Sequence, residues 1–217
     1  MGEIGGNHEI IIEPEKEVRG LDALAEVILH EKPQYFIVTD AHIFSEPQDI
    51  TASIIEAISR NPNYSKGQVG FYVEALFDSA KPEAGDFRGD VILWDDEATE
   101  RSGTNYRGTI QRSVDQEVPV HGIDLDKNMH PDSKERIDHW ERIIRDGKED
   151  IKVILAGGGH FWNDQTKPTD LMHRLTGEKW VLRNEKASEM PGIIASIPVD
   201  LTPDIATKYT YTILKYK

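Results

Sequence analysis

The chain has 217 residues, of which 38% are hydrophobic and 29% charged, so one core can be built beneath a strongly polar surface. Lys and Arg number 25 against 39 Asp and Glu, a net charge of −14, which argues against a nucleic-acid binder because cationic side chains supply most of that affinity. No apolar run approaches the roughly 20 residues a membrane span needs, and the absence of cysteine excludes disulfides, thiolate zinc sites, iron–sulfur clusters and cysteine nucleophiles.

Residues 1–5 show neither a basic n-region nor a long apolar h-region. The expected location is therefore cytoplasmic, or secreted into a host cell by a signal-peptide-independent route. Residues 1–34 read as an N-terminal extension and a helix. A short strand-like run, Ile10, Ile11 and Ile12, ends before Pro14. Leu21, Leu24, Ala25, Ile28 and Leu29 then follow helical spacing, and Pro33 stops that helix.

Residues 35–39 are short, apolar and rich in aromatic and β-branched side chains, the pattern of a buried strand. Asp49 is placed to cap a helix carrying Ile50, Ile54, Ile55 and Ile58, which Asn61 and Pro62 end. Further strands are expected at 69–73, 91–94, 118–123 and 153–156. Ser133 caps an amphipathic helix with Ile137, Trp140, Ile143 and Ile144 on one face. Residues 193–199 and 209–216 read as two last strands, the final one antiparallel at an edge. Residues 78–116 have little periodicity and read as an irregular excursion or lid. The expected fold is α/β, with a mostly parallel central sheet and helices on both faces, in a single domain spanning 1–217.

Ligands in open parallel sheets bind beyond the carboxyl ends of the strands. Those ends are polar here: Asp40 and His42, then Glu74, then Asp124 after a run through His121 and Gly122, then Gly157, Gly158, Gly159 and His160. His42 is the candidate general base, since imidazole titrates near neutral pH. Asp40 or Glu74 would orient it. Alternatively Asp40, His42, Glu74 and His160 would together hold one divalent metal. Each of these groups can equally cap a helix or pair with an arginine.

The three glycines permit close backbone approach to a ligand. They form no P-loop and no dinucleotide fingerprint, because no Lys-Ser/Thr follows and Trp162 breaks the spacing. No G-x-S-x-G elbow and no H-E-x-x-H occurs. Glu3, Gly5, Gly6, Asn7 and His8 read as a frayed terminus. Arg107, Arg112 and Lys127 are candidate anion-binding residues on the rim, or solvated surface charges. Trp94, Phe161 and Trp162 are candidate pocket walls, or core.

The ordered set of Asp40 and His42 after one strand, Glu74 after the next, Gly122 and Asp124, and Gly157 to His160 resembles the erythromycin esterase, ChaN and TraB/Tiki superfamily. The resemblance runs from Tyr35 to Trp162. It implies that His42 is the catalytic base, Asp40 its acid, Glu74 the second-strand glutamate, His160 the late histidine and Asp124 the aspartate of a Gly-x-Asp step. The family's range of esterases, metal-dependent peptidases, a haem-binding protein and toxin or effector domains leaves the activity open. Asp stands at position 40 where the family usually has Glu, and the chain lacks room for the helical insertion of the macrolide esterases, which argues against macrolide hydrolysis.

The expected function is hydrolysis, with His42, Asp40, Glu74 and His160 activating water, directly or through a divalent metal. Asp124, Gly158, Gly159, Trp162 and Arg107 would contact a small-molecule or peptide substrate. The alternative is a non-catalytic ligand-binding or host-targeting bacterial effector module, with a host protein as partner. Haem is not expected as a cofactor.

Overall fold

The computed structural model describes residues 10–12, 16–32, 34–40, 46–90, 105–126, 133–157, 171–176, 193–195 and 208–216. In chain order the elements are β1 (Ile10–Ile12), β2 (Lys16–Arg19), α1 (Leu21–Glu31), β3 (Tyr35–Asp40), α2 (Glu46–Arg60), β4 (Val69–Phe77), a 3₁₀ turn (Pro82–Ala84), α3 (Tyr106–Asp115), β5 (Val120–Asp124), α4 (Ser133–Asp146), β6 (Ile151–Gly157), α5 (Leu171–Thr176), β7 (Ile193–Ala195) and β8 (Lys208–Tyr216). The sheet runs β1-β8-β7-β3-β6-β4-β5, with β2 also on β8. Strands β7, β3, β6, β4 and β5 are mutually parallel. The expected α/β class and mostly parallel sheet are what the structure shows.

Both faces are covered, and this explains why the central strands are apolar runs rather than alternating ones. Every residue of β4 and of β6 is buried. Phe36, Val38, Phe71, Val73, Val153 and Leu155 pack with α1, α2 and α3 residues such as Ile28, Ile54 and Ile110. On the other face Tyr35, Ile37, Tyr72 and Ile154 pack with Ile137, Trp140 and Ile144 of α4 and with Leu171 and Leu175 of α5.

Three expectations change. Helix α2 begins at Glu46 rather than after Asp49, because Pro47 fits a first helical turn. Asp49 instead accepts a hydrogen bond from Asn105 Nδ2 at 2.9 Å, tying α2 to the start of α3. The excursion at 78–116 contains α3, whose buried face is Tyr106, Thr109, Ile110 and Ser113. Two of those four are the small polar residues Thr109 and Ser113, which hid the helical period; Ser113 Oγ donates to the Thr109 carbonyl at 2.9 Å. Finally, β8 is antiparallel as expected but not an edge, since β1 and β2 both pair with it opposite β7. The predicted strand at 91–94 and the predicted frayed segment Glu3 to His8 lie outside the described residues.

The connections define a switch point in the strand order. The path from β3 through α2 reaches β4 by passing β6, whereas the path from β6 through α5 reaches β7 by passing β3. The neighbours β3 and β6 therefore send their chains in opposite directions, the switch point beside which open parallel sheets bind ligands. Asp40 and Gly157 pair at that point.

Candidate functional site

Strand β4 widens toward this end. Val73 is in register with Gly122 and Phe77 with Asp124, so four steps along β4 match two along β5. Such a bulge bends its strand and re-aims side chains. Gly122 makes it possible, because a Cβ there would lie 2.1 Å from the Phe77 carbonyl oxygen. The bulge carries Glu74.

Glu74 is 2% exposed at its side chain, and Asp124 is 1% exposed. Between them stands Arg136 of α4. Its Nε donates to Asp124 Oδ1 at 2.6 Å and its Nη2 to Asp124 Oδ2 at 2.7 Å, a two-pronged pair. The same Nη2 donates to Glu74 Oε1 at 3.0 Å. Glu74 Oε2 accepts the Gly157 backbone N–H at 2.6 Å, across the β4–β6 seam. Asp124 Oδ1 also accepts from Leu125 N at 2.9 Å and from Trp140 Nε1 at 3.2 Å. The guanidinium lies 4.7 Å from the Trp140 ring centre. Burial works against the arginine's charge, but Asp124 and then Glu74 outweigh it and hold its pKa above the ordinary value. A half-buried cation shared by two buried carboxylates, bonded through Nε and Nη2, is a scaffold.

Beside it, Arg142 Nη2 donates to His139 Nδ1 at 2.8 Å. An arginine cannot accept, so the His139 proton sits on Nε2, which lies 3.1 Å from Asp78 Oδ2. Burial lowers the His139 pKa first, Asp78 opposes it and Arg142 adds to it.

The structure thus brings together Glu74, Asp124 and the Asp40–Gly157 strand ends. The side chains of Asp40, His42, His160 and Trp162, and residues Gly158, Gly159, Lys127, Trp94 and Phe161, lie outside what is described. The Arg107 guanidinium lies 5.6 Å from the Phe87 ring centre. Arg112 turns to α2, where it pairs with Glu56 at 2.7 Å. Among the described residues, no group of three or more histidine or acidic side chains is arranged to hold a metal ion. Arg136 beside Glu74 also disfavours a second cation at that carboxylate.

Sequence reasoning missed Arg136, Trp140 as a hydrogen-bond donor, and His139. A signal existed: Arg136 stands four residues before Trp140, on the face of α4 that must be buried.

No protein-family model matches the chain, so the resemblance to the erythromycin esterase, ChaN and TraB/Tiki superfamily has no family match behind it. No curated protein matches it either. A solved structure of the type III effector HopBA1 is similar at 15% identity and a TM-score of 0.45, covering 71% of this chain and 81% of that one. Among the described residues no helix is long and apolar enough to cross a membrane.

Proposed function

We propose that this protein is a ligand-binding module whose pocket lies in the crevice between β3 and β6. The observation that carries the reading is the pairing of Asp40 with Gly157 at the point where the two chains diverge. Glu74 supports it as a positioning residue, because its carboxylate fixes Gly157, the last residue of β6 and the first of three consecutive glycines in the sequence. Three glycines there let the backbone approach a ligand closely. Glu74 and Asp124 both accept from Arg136, which suits a rigid floor rather than a proton-transferring group. In a host-targeting bacterial effector, such a pocket serves recognition rather than turnover.

A second reading, hydrolysis, is favoured by the same register. His42 follows Asp40 by two residues and His160 follows Gly157 by three, so in sequence both come directly after the paired strand ends. In that reading His42 is the base, and Asp40, His42 and His160 are the residues that would hold a divalent ion. The test is a thermal-shift screen of esters, peptides and divalent cations, with product analysis for every compound that raises the melting temperature. A stabilising compound recovered intact, whose effect Asp40→Asn or Gly158→Val removes, supports binding. A compound converted to product, with conversion abolished by His42→Ala, establishes hydrolysis instead. If no compound's stabilisation responds to either site variant, the crevice is not the site.

A further inference from the structure

Away from that rim, toward the amino end of the sheet, a second polar group gathers on the α4 face. Glu149, in the turn between α4 and β6, accepts a hydrogen bond from Tyr72 Oη at 2.6 Å through Oε2. Its Oε1 lies 3.0 Å from His121 Nε2. The imidazole also stacks on the Tyr72 ring, with centroids 4.7 Å apart and planes at 28°. Two glycines make room for this arrangement. A Cβ on Gly147 would lie 1.7 Å from Tyr72 Oη, and one on Gly70 would lie 2.8 Å from the Glu149 side chain.

The geometry fixes the tautomer. Glu149 is an acceptor on both oxygens, so in neutral His121 the proton sits on Nε2 and the lone pair on Nδ1. The His121 side chain is 36% exposed, whereas that of Glu149 is only 9% exposed. Among the described residues no hydrogen bond is made by Nδ1. An imidazole with one nitrogen held by a buried carboxylate and the other open is the arrangement that activates histidine as a nucleophile, since the carboxylate stabilises the imidazolium formed on attack.

We propose that His121 is a nucleophilic histidine that accepts an uncharged activated acyl group at Nδ1. The charge balance selects the acyl class: with Glu149 alongside and a net charge of −14, an anionic phosphoryl donor is repelled. In the step, the Nδ1 lone pair attacks the acyl carbon, the bond to the leaving oxygen breaks, and that oxygen departs with its electron pair. The positive charge left on the ring is stabilised by ionised Glu149, and the Nε2 proton passes to solvent as the neutral acylimidazole forms.

Diethyl pyrocarbonate is the probe, applied to the intact chain, with modified histidines mapped by mass spectrometry over time. His30, exposed on α1, is the internal reference. His121 should be acylated several-fold faster than His30 although it is the less exposed ring. Glu149→Gln should bring His121 down toward the His30 rate and leave His30 unchanged. A wild-type His121 rate equal to or below that of His30 overturns the proposal, as does a His121 rate unaffected in folded Glu149→Gln. Should that variant fail to fold, the wild-type ratio alone decides.

Discussion

Arg136 grips Asp124 with two donors, Nε at 2.6 Å and Nη2 at 2.7 Å, while the acid is only 1% exposed. Its second partner, Glu74, is equally enclosed. Removing the cation alone leaves two carboxylates facing each other in the core. Arg136→Met should therefore cost about 3–5 kcal/mol in denaturant unfolding. Arg136→Lys should recover little, since an ammonium cannot make the two-pronged contact. Replacing all three by apolar residues of similar size should recover most of the loss. A cost below about 1 kcal/mol for Arg136→Met would mean that water already solvates the cluster.

Much of this arrangement could be read in the sequence, and the rest could not for identifiable reasons. Strands β3, β4 and β6 announce themselves because burial on both faces leaves no polar alternation to obscure them. The ends of β3, β5 and β6 pointed to the Asp40–Gly157 pair and to Asp124, whereas Glu74, expected just after its strand, lies inside β4 at the bulge. Helix α3 was hidden because Thr109 and Ser113 occupy buried positions where apolar residues would mark the period, Ser113 Oγ donating to the Thr109 carbonyl at 2.9 Å. Arg136 was hidden because a charged residue on an amphipathic helix reads as surface until a partner is known. The partners, Glu74 and Asp124, are 62 and 12 residues away. Such pairings are set by the fold and leave no local trace.

Acid should weaken the protein in two stages. The His139 pKa lies below its ordinary 6.5, mainly through burial, with Asp78 opposing and Arg142 reinforcing. The folded state thus prefers the neutral ring; this stability is complete above about 6.5 and is lost as pH falls below it. Burial raises the Glu149 pKa, but the hydrogen bonds from His121 and Tyr72 outweigh it and hold the pKa at about 2 against an ordinary 4.5. Its contribution is complete above about 4.5 and is lost as pH falls toward 2, about 3 kcal/mol in all. Unfolding free energies measured from pH 8 to pH 2 should show both declines. Glu149→Gln should flatten the lower one and leave the upper; an unchanged lower decline would assign it to other acids.

The pair between Arg112 and Glu56 gives the contrasting case. Their side chains are 34% and 22% exposed, so water screens the contact although the distance is 2.7 Å. Arg112→Ala should cost no more than about 1 kcal/mol. Because Arg112 is engaged with α2, the same substitution should leave any ligand-induced thermal shift unaltered. A lost shift would return Arg112 to the binding rim.

Gly122 decides whether β4 can bulge. Its backbone needs no unusual dihedral; the constraint is space, since a Cβ would meet Leu76 Cβ at 2.8 Å as well as the Phe77 carbonyl. Neither neighbour can swing aside, because Leu76 is fully buried and Phe77 N is bonded to the Arg88 carbonyl at 3.0 Å. Gly122→Ala should therefore push the bulged segment outward and cost about 1–3 kcal/mol, as overpacked cores do. The displaced segment carries Glu74, so the loss should extend to the hydrogen bond at Gly157. Backbone amide exchange at Gly157 reports it directly. Faster exchange there in the variant, with exchange at Val153 unchanged, shows the bulge holding Glu74 against the end of β6. Slow exchange at both positions would mean that Glu74 keeps its place without the bulge.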